Sequence, residues 1–571
     1  PGGHGPVVME EARRKRVTTL FMVLAFAASL SGCGGDGTAE SMLEAQVVTV
    51  QAASVVGDAP TNPVDGAKVI KFTMSGPGMS DVATSYSFLA GGGDLPVFPE
   101  GYDRQLTVEI CRNTCDEGVG NDIIARGRTV PMKLPGRAVR NETVFVTTRN
   151  AFLPPTGLVE GGTQTSAMAN KYRVGATMTE LDDGTILIAG GAKAKTGAAT
   201  WYRPEDLESI TADAEVFDPR TGTFKAVGTM KLARTHHAAV KLGGPNRSDG
   251  RVLILGGYSP GGITDKIEIF NPGTGSFEML PEDQWMGGTG RALFTAALAY
   301  PDQNILFLAG GDCTYKPAGG TWNLYMVGVG TVALGPLSPG VNADEFGTAR
   351  YNHTMTYLPN YGEGADGNAL PAFVLMGGEN DGGMVSLVEA YALNPLQGND
   401  FSNVVRRDES ALTDLPVAGR SLHTAVYVPG QGLVYVAGGF TQKGATQPTD
   451  RIDVYLVGAK AFNPDILVMA SARGGVTGTL LDRNTVFLAG GRGEGGATTR
   501  TEVIVETVVC QGENNTPPCY RVPQLFAGRT PDLEASRVGH AALFDGTHKV
   551  LLVGGVSEAN VTPDPILYNP E

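Results

Sequence analysis

A chain of 571 residues is too long for one simple core, so it calls for several domains or for one large repeat domain with an appendage. Its 79 glycines and 35 prolines, with only 18% charged residues, exclude a mainly helical protein and point to turn-rich β structure. The formal charge of −15 repels phosphate backbones and argues against nucleic acid as a partner.

Residues 1–8 precede Met9, the expected start, and are set aside as spurious to the fold. Residues 1–32 are expected to be a signal peptide: Arg13-Arg14-Lys15-Arg16 is a basic stretch, and the apolar run over 20–30 is too short for a permanent bilayer span. The segment ends in Leu30-Ser31-Gly32-Cys33, which resembles the lipobox of bacterial lipoproteins. That resemblance implies an acylated Cys33 as the mature N terminus. It also implies an exported protein, lipid-anchored to a membrane of the bacterial cell envelope on its periplasmic side or at the cell surface. A diacylglyceryl group plus an amide-linked chain would hold it firmly, at about 0.8 kcal/mol per buried methylene. An ordinary secretory signal cut at a small residue is the alternative. Residues 33–43 are small and polar and form the lipidated tether.

Over 44–150 the pattern predicts short strands at 45–53, 67–74, 85–90, 105–111, 123–132 and 142–148. Alternation is clearest in Leu106-Thr-Val-Glu-Ile110 and Thr143-Val-Phe-Val-Thr147, which suits a β-sandwich with one buried face per sheet. Phe98-Pro-Glu-Gly-Tyr102, Leu106-Thr-Val-Glu109 and Ile124-Ala-Arg-Gly127 resemble small prealbumin-like or immunoglobulin-like domains of secreted bacterial proteins. A spacer or accessory role is expected for this unit. Cys111 and Cys115 lie four apart, and Cys510 and Cys519 bracket a polar loop. In an exported chain each close pair is most simply a local disulfide; metal binding is the alternative, but no histidine lies near either pair. Cys313 is left over.

A join, Leu153-Pro-Pro-Thr-Gly157, leads into residues 151–571, where an apolar strand running into a glycine pair recurs seven times. The pairs are Gly190-Gly191, Gly256-Gly257, Gly310-Gly311, Gly377-Gly378, Gly438-Gly439, Gly490-Gly491 and Gly554-Gly555. Their spacings of 66, 54, 67, 61, 52 and 64 residues are those of a repeat with variable loops and constant core strands. In repeat 2, Arg234-Thr-His-His-Ala-Ala-Val-Lys-Leu242 is a first strand, and Asp249-Gly250 turns the chain into the second at 252–255. Lys266-Ile-Glu-Ile-Phe-Asn-Pro272 and Ser276-Phe-Glu-Met-Leu280 follow as third and fourth.

This four-stranded unit with its doubled glycine resembles the kelch repeat of β-propellers over about 166–571, with Phe224 and Phe277 standing where a kelch repeat often has tryptophan. The resemblance implies an all-β fold: a seven-bladed, monomeric kelch-type β-propeller preceded by the small β-sandwich. An arginine precedes the first-strand core in every copy, namely Arg173, Arg234, Arg291, Arg350, Arg420, Arg473 and Arg537. The last repeat ends before its fourth strand, so a segment within about 152–165 is expected to supply it and cover the exposed edge.

His237, His353, His423 and His540 each follow one of these arginines by three residues. Kelch propellers include copper-radical galactose oxidases, but four histidines at one repeat position mark a packing role rather than a ligand set. The arginines have two readings. They satisfy carbonyls or pair with the third-strand acids Glu215, Glu268, Glu389, Asp453 and Glu502, or they form a guanidinium ring for an anionic ligand; strict repetition favours the first. No nucleophile elbow, phosphate loop, HExxH motif or calcium loop occurs, so no catalytic residue, metal or cofactor is assigned. Function is expected in the loops 193–202, 314–322, 379–383, 441–449 and 492–499, where Trp201, Tyr202, Tyr315 and Trp322 are the candidate binding residues; each has a second reading as a packed anchor. The leading expectation is a non-enzymatic scaffold for a protein or glycan ligand. The alternative is a carbohydrate-active or galactose-oxidase-like enzyme.

Overall fold

The computed structural model describes residues 24–26, 40–50 and most of 64–570; within that last span 89–91, 94, 96–97, 116–121, 135–138, 160–161, 197, 199, 244–249, 287–289, 301–304, 313–321, 328–333, 337–347, 364–368, 395–404, 482–483, 511–518, 528–529 and 558–561 lie outside the described residues. Cys33, Cys313 and Tyr315 fall outside them, as does the expected signal peptide except for the strand Leu24–Phe26, which pairs with 45–47. Among the described residues regular structure is all β, with no α-helix.

The N-terminal unit is built on the strands Val82–Ser87, Val69–Ser75, Gly101–Cys111, Ile123–Arg128 and Val139–Thr148, neighbours in that order, with Glu40–Val50 parallel to the last. Alternation decides its faces. Ile70, Phe72, Met74, Leu106, Val108, Ile110 and Ala125 pack into one core, while the residues between them face the other way. Cys111 and Cys115 form a disulfide with Cα atoms 5.3 Å apart.

The seven glycine-pair strands each sit second in a separate sheet of four or five strands. Repeat 2 has the expected layout: Ala238–Lys241, Val252–Leu255, Ile267–Asn271 and Ser276–Met279, all antiparallel. Second strands such as Ile186–Ala189, Val252–Leu255 and Val486–Ala489 are buried along their whole length, because they are covered on both faces. In repeats 1 and 2 the cross-strand pairs Phe217–Phe224 and Phe270–Phe277, with ring centroids 5.0 and 4.8 Å apart, fill the outer half.

The first strands, Thr177–Glu180, Ala238–Lys241, Thr295–Tyr300, Thr354–Glu363, Thr424–Val428, Thr477–Leu480 and Val538–Phe544, lie side by side in chain order, and the last lies beside the first. Among the described residues no sheet closes on itself; neighbouring sheets pack face to face, as repeats 2 and 3 do through Leu253, Leu255, Leu306 and Leu308. The outer strand of the last sheet is Ala151–Leu153, paired with Ile566–Asn569. It begins one residue before the expected window. Pro154 and Pro155 lack an N–H, so the ladder stops there.

The N-terminal unit meets the repeats at the end that carries the Asp-Gly hairpins. Gln105 Nε2 donates to the Gly546 carbonyl at 3.1 Å, and Asn569 Nδ2 donates to the Thr147 carbonyl at 3.0 Å. The glycine-pair end points away from this junction.

Candidate functional site

The repeated charges come first, because they decide what remains for recognition. All seven arginines are buried, at 0–4% exposure. Arg173 pairs with Glu215 at 2.7 Å, Arg234 with Glu268 at 2.7 Å and Arg473 with Glu502 at 2.6 Å; Arg350 and Arg420 pair with Glu389 and Asp453. A second guanidinium nitrogen reaches backbone, as Arg234 Nη1 does to the carbonyls of Gly256 and Lys266 at 2.8 and 3.0 Å. In repeat 7 the position of the acid is taken by Ile566. There Arg537 donates to the Asp564 carbonyl at 3.1 Å, and burial pulls its pKa down to about 10. These side chains lie inside the sheets and present no guanidinium ring to a ligand.

The four histidines are equally committed. Nε2 of His237, His353, His423 and His540 lies 2.8–2.9 Å from the hydroxyl of Thr177, Thr295, Thr354 and Thr477, each in the preceding repeat. The sequence held this signal unread: a threonine stands four residues after the arginine, as in Arg350-Tyr-Asn-His353-Thr354. Burial holds the histidines neutral, with pKa values of about 3 for His423 and His540. The folded value is lowered, so below pH 6.5 the unfolded chain binds the extra proton. Stability should therefore fall as pH drops from 6.5 toward 3, by up to about 1.4 kcal/mol per pH unit for each histidine. Thermal melts between pH 7.5 and 5 check this. His423→Gln should flatten the dependence, and a slope that is unchanged would show that the titration lies elsewhere.

The glycine pairs face the next repeat. In six of them the second glycine donates its N–H to the carbonyl of the following arginine, at 2.7–3.0 Å, as Gly257 does to Arg291. The seventh pair meets the first repeat: a Cβ on Gly554 would lie 2.6 Å from the Arg173 carbonyl oxygen.

Two residues after each arginine the backbone is left-handed. Gly175, His236, Leu293, Asn352, Leu422, Gly475 and Gly539 all have φ between +51° and +69°. Six backbone bonds link them one to the next around the axis, from Gly175 N to the Gly539 carbonyl at 3.3 Å through to Gly475 N on the Leu422 carbonyl at 2.7 Å. Four non-glycine residues in this conformation cost about 1–2 kcal/mol each, which the collar of bonds must offset.

Trp201 rests on this collar where it has no side chains. A Cβ on Gly539 or Gly475 would lie 2.3 or 2.5 Å from the indole. Trp201 and Tyr202 are only 4% and 2% exposed, packed with Val174, Ala192, Phe440 and Val538. They are the anchors of a loop from repeat 1 that plugs the axis, which is the packed-anchor reading of the two given for them. The glycines that admit Trp201 come from repeats far away in sequence, so no local pattern announces it. Trp322 also moves: its backbone opens the third strand of repeat 3, Trp322–Val327, rather than lying in a loop, and its side chain falls outside the described residues. Cys510 and Cys519 stand opposite each other in register at the end of a hairpin, with side chains outside the described residues.

Around the plug, the residue after each glycine pair differs from repeat to repeat: Ala192, Tyr258, Asp312, Glu379, Phe440, Arg492 and Val556. Short two-stranded ribbons rise from several of these positions, such as Glu379–Asn380 with Gly383–Met384 and Phe440–Gln442 with Thr446–Pro448. Tyr258 donates to Asp312 at 2.7 Å, and Asn352 donates to Glu379 at 3.0 Å. Burial raises the Glu379 pKa, and burial, then the charge of Glu379, pushes the Tyr202 hydroxyl up to about 12. Five of the seven side chains that follow the glycine pairs are buried and form the floor beneath the ribbons; only Asp312 and Arg492 are partly exposed.

Residues 245–284 match the Kelch motif. Over 180 residues the chain is 27% identical to Kelch-like protein 34 of Homo sapiens, an alignment covering 31% of this chain and 25% of that protein. The chain therefore spans about a quarter of the length of that relative. These two similarities support kelch repeats in this chain.

Proposed function

We propose that the seven sheets form a seven-bladed, monomeric kelch-type propeller carried by a small prealbumin-like or immunoglobulin-like sandwich over 44–150, and that it serves as a non-enzymatic scaffold binding a protein or glycan ligand. In this reading residues 1–32 are a signal peptide, Cys33 is acylated, and 33–43 tether the protein to a membrane of the bacterial cell envelope. One observation carries it: the repeated polar groups are spent on each other, while the two-stranded ribbons that follow the glycine pairs differ from repeat to repeat, at the end left free by the N-terminal unit. A constant frame with a variable rim is what a recognition surface assembled from loops needs.

The test uses the full chain with Cys33→Ser, presented to a glycan array and to envelope proteins by cross-linking. Arg203→Glu and Lys443→Glu, on loops at the glycine-pair end, should weaken the captured ligand about tenfold or more with melting unchanged. A ligand that ignores both changes, or sugar turnover by the purified protein, would overturn the reading.

A further inference from the structure

We infer that the cleft between the N-terminal sheet and repeats 6 and 7 is a binding site for a short neutral oligosaccharide. It lies at the opposite end from the glycine-pair surface and does not depend on the reading given to that surface. Its volume is about 700 Å³, within the range of about 300–1,000 Å³ typical of small-molecule sites, which favour junctions between domains.

The two walls have different chemistry. One is the polar face of the N-terminal sheet, whose opposite face is the apolar core. Cross-strand register sets its side chains in rows: Lys71, Glu109 and Arg126 in one, and Thr73, Thr107 and Arg128 in the next. Arg126 holds Glu109 at 2.5 Å and Lys71 flanks the same carboxylate at 3.9 Å, so the first row presents an acceptor between two donors. The threonines add hydroxyls that donate and accept. The facing wall mixes the apolar Leu481, Val503 and Val505 with the polar Thr485, Thr530 and His548.

A pyranose fits this division, since it offers hydroxyls around its edge and C–H groups on its face. Charge favours a neutral ligand. Three cations, Lys71, Arg126 and Arg128, stand against two carboxylates, Asp81 and Glu109, a near balance that gives a phosphate or carboxylate little advantage. The cleft is also held open by bonds around it. Tyr568 Oη donates to Asn150 at 2.9 Å, and the Gln105 and Asn569 bonds clamp the junction on its other sides. Such a rim spares a ligand the cost of ordering the site.

The experiment titrates the full chain carrying Cys33→Ser, by calorimetry, with neutral di- and trisaccharides and, separately, with inorganic phosphate and glucuronate. A neutral saccharide should bind in the millimolar range or tighter. Thr107→Val should weaken it about tenfold, the loss of one hydrogen bond to the ligand, and Val505→Trp should abolish it by filling the cleft, with melting temperatures maintained. Arg203→Glu at the far end should leave it unchanged. Saturable binding of phosphate or glucuronate alone, no binding of any saccharide, or binding that ignores both cleft variants would overturn the inference. Saccharide binding lost only with Arg203→Glu would place the ligand on the glycine-pair surface instead.

Discussion

Replacing Glu268 by alanine should destabilise the protein by about 3–5 kcal/mol in urea unfolding, the usual penalty for stranding one half of a buried ion pair. Glu268 and Arg234 are both fully buried. The carboxylate takes three donors: Arg234 Nη2 at 2.7 Å and the backbone N–H groups of Lys231 and Leu232 at 2.5 and 3.0 Å. Without it a buried guanidinium and two partly buried amides lose their partner at once. Glu268→Gln keeps an acceptor for the amides and should cost less. A loss below about 1 kcal/mol for Glu268→Ala would mean that backbone carbonyls alone suffice for the arginine. Repeat 7 shows what such a compensation involves, because Arg537 there leans on the Asp564 carbonyl in place of an acid.

Gly256→Val should cost about 2–5 kcal/mol, read from the same unfolding curves. Gly256 has φ +60°, and a Cβ there would lie 2.4 Å from the carbonyl oxygen of Arg291 in the next repeat, with Met286 and Phe294 at 2.9 and 3.0 Å. A β-branched residue in the left-handed region adds about 1–2 kcal/mol to overpacking of about 1–3 kcal/mol. Gly273→Val is the control. Gly273 is exposed in a turn, has no positive φ, and meets only the Asn271 side chain at 3.3 Å, so it should cost under about 1 kcal/mol. Equal effects at both positions would show that glycine is needed only for chain flexibility, rather than for the close approach of two repeats.

Repetition made the frame legible. A glycine pair after an apolar run, or an arginine at one offset, is weak once and strong seven times, and the third-strand acids were readable because charge must be paired where it recurs in a core. The histidine–threonine latches were half legible: the histidines stood out, but their partners lie 58–69 residues away, across a repeat boundary. Three features left no local trace. Trp201 is held by glycines of repeats 6 and 7, so its burial depends on the ring being assembled. The left-handed collar includes Leu293 and Leu422, whose type argues against that conformation; tertiary contacts override the preference. The cleft belongs to two units, and neither sequence alone describes it.

Under mechanical load the strand Ala151–Leu153 becomes the weak link. It leaves the N-terminal unit and hydrogen-bonds to the last strand, so tension on the N terminus reaches the repeats through three residue pairs, Ala151↔Asn569, Phe152↔Tyr568 and Leu153↔Leu567, beside the Gln105 and Asn569 bonds of the junction. The rings of Phe152 and Tyr568, 5.0 Å apart, reinforce that short ladder. Once it parts, the edge of the last sheet is released while the internal pairing of the other six is still unloaded. Under such a load a molecule of this design yields at its seam first, and the seam can re-form when the force drops.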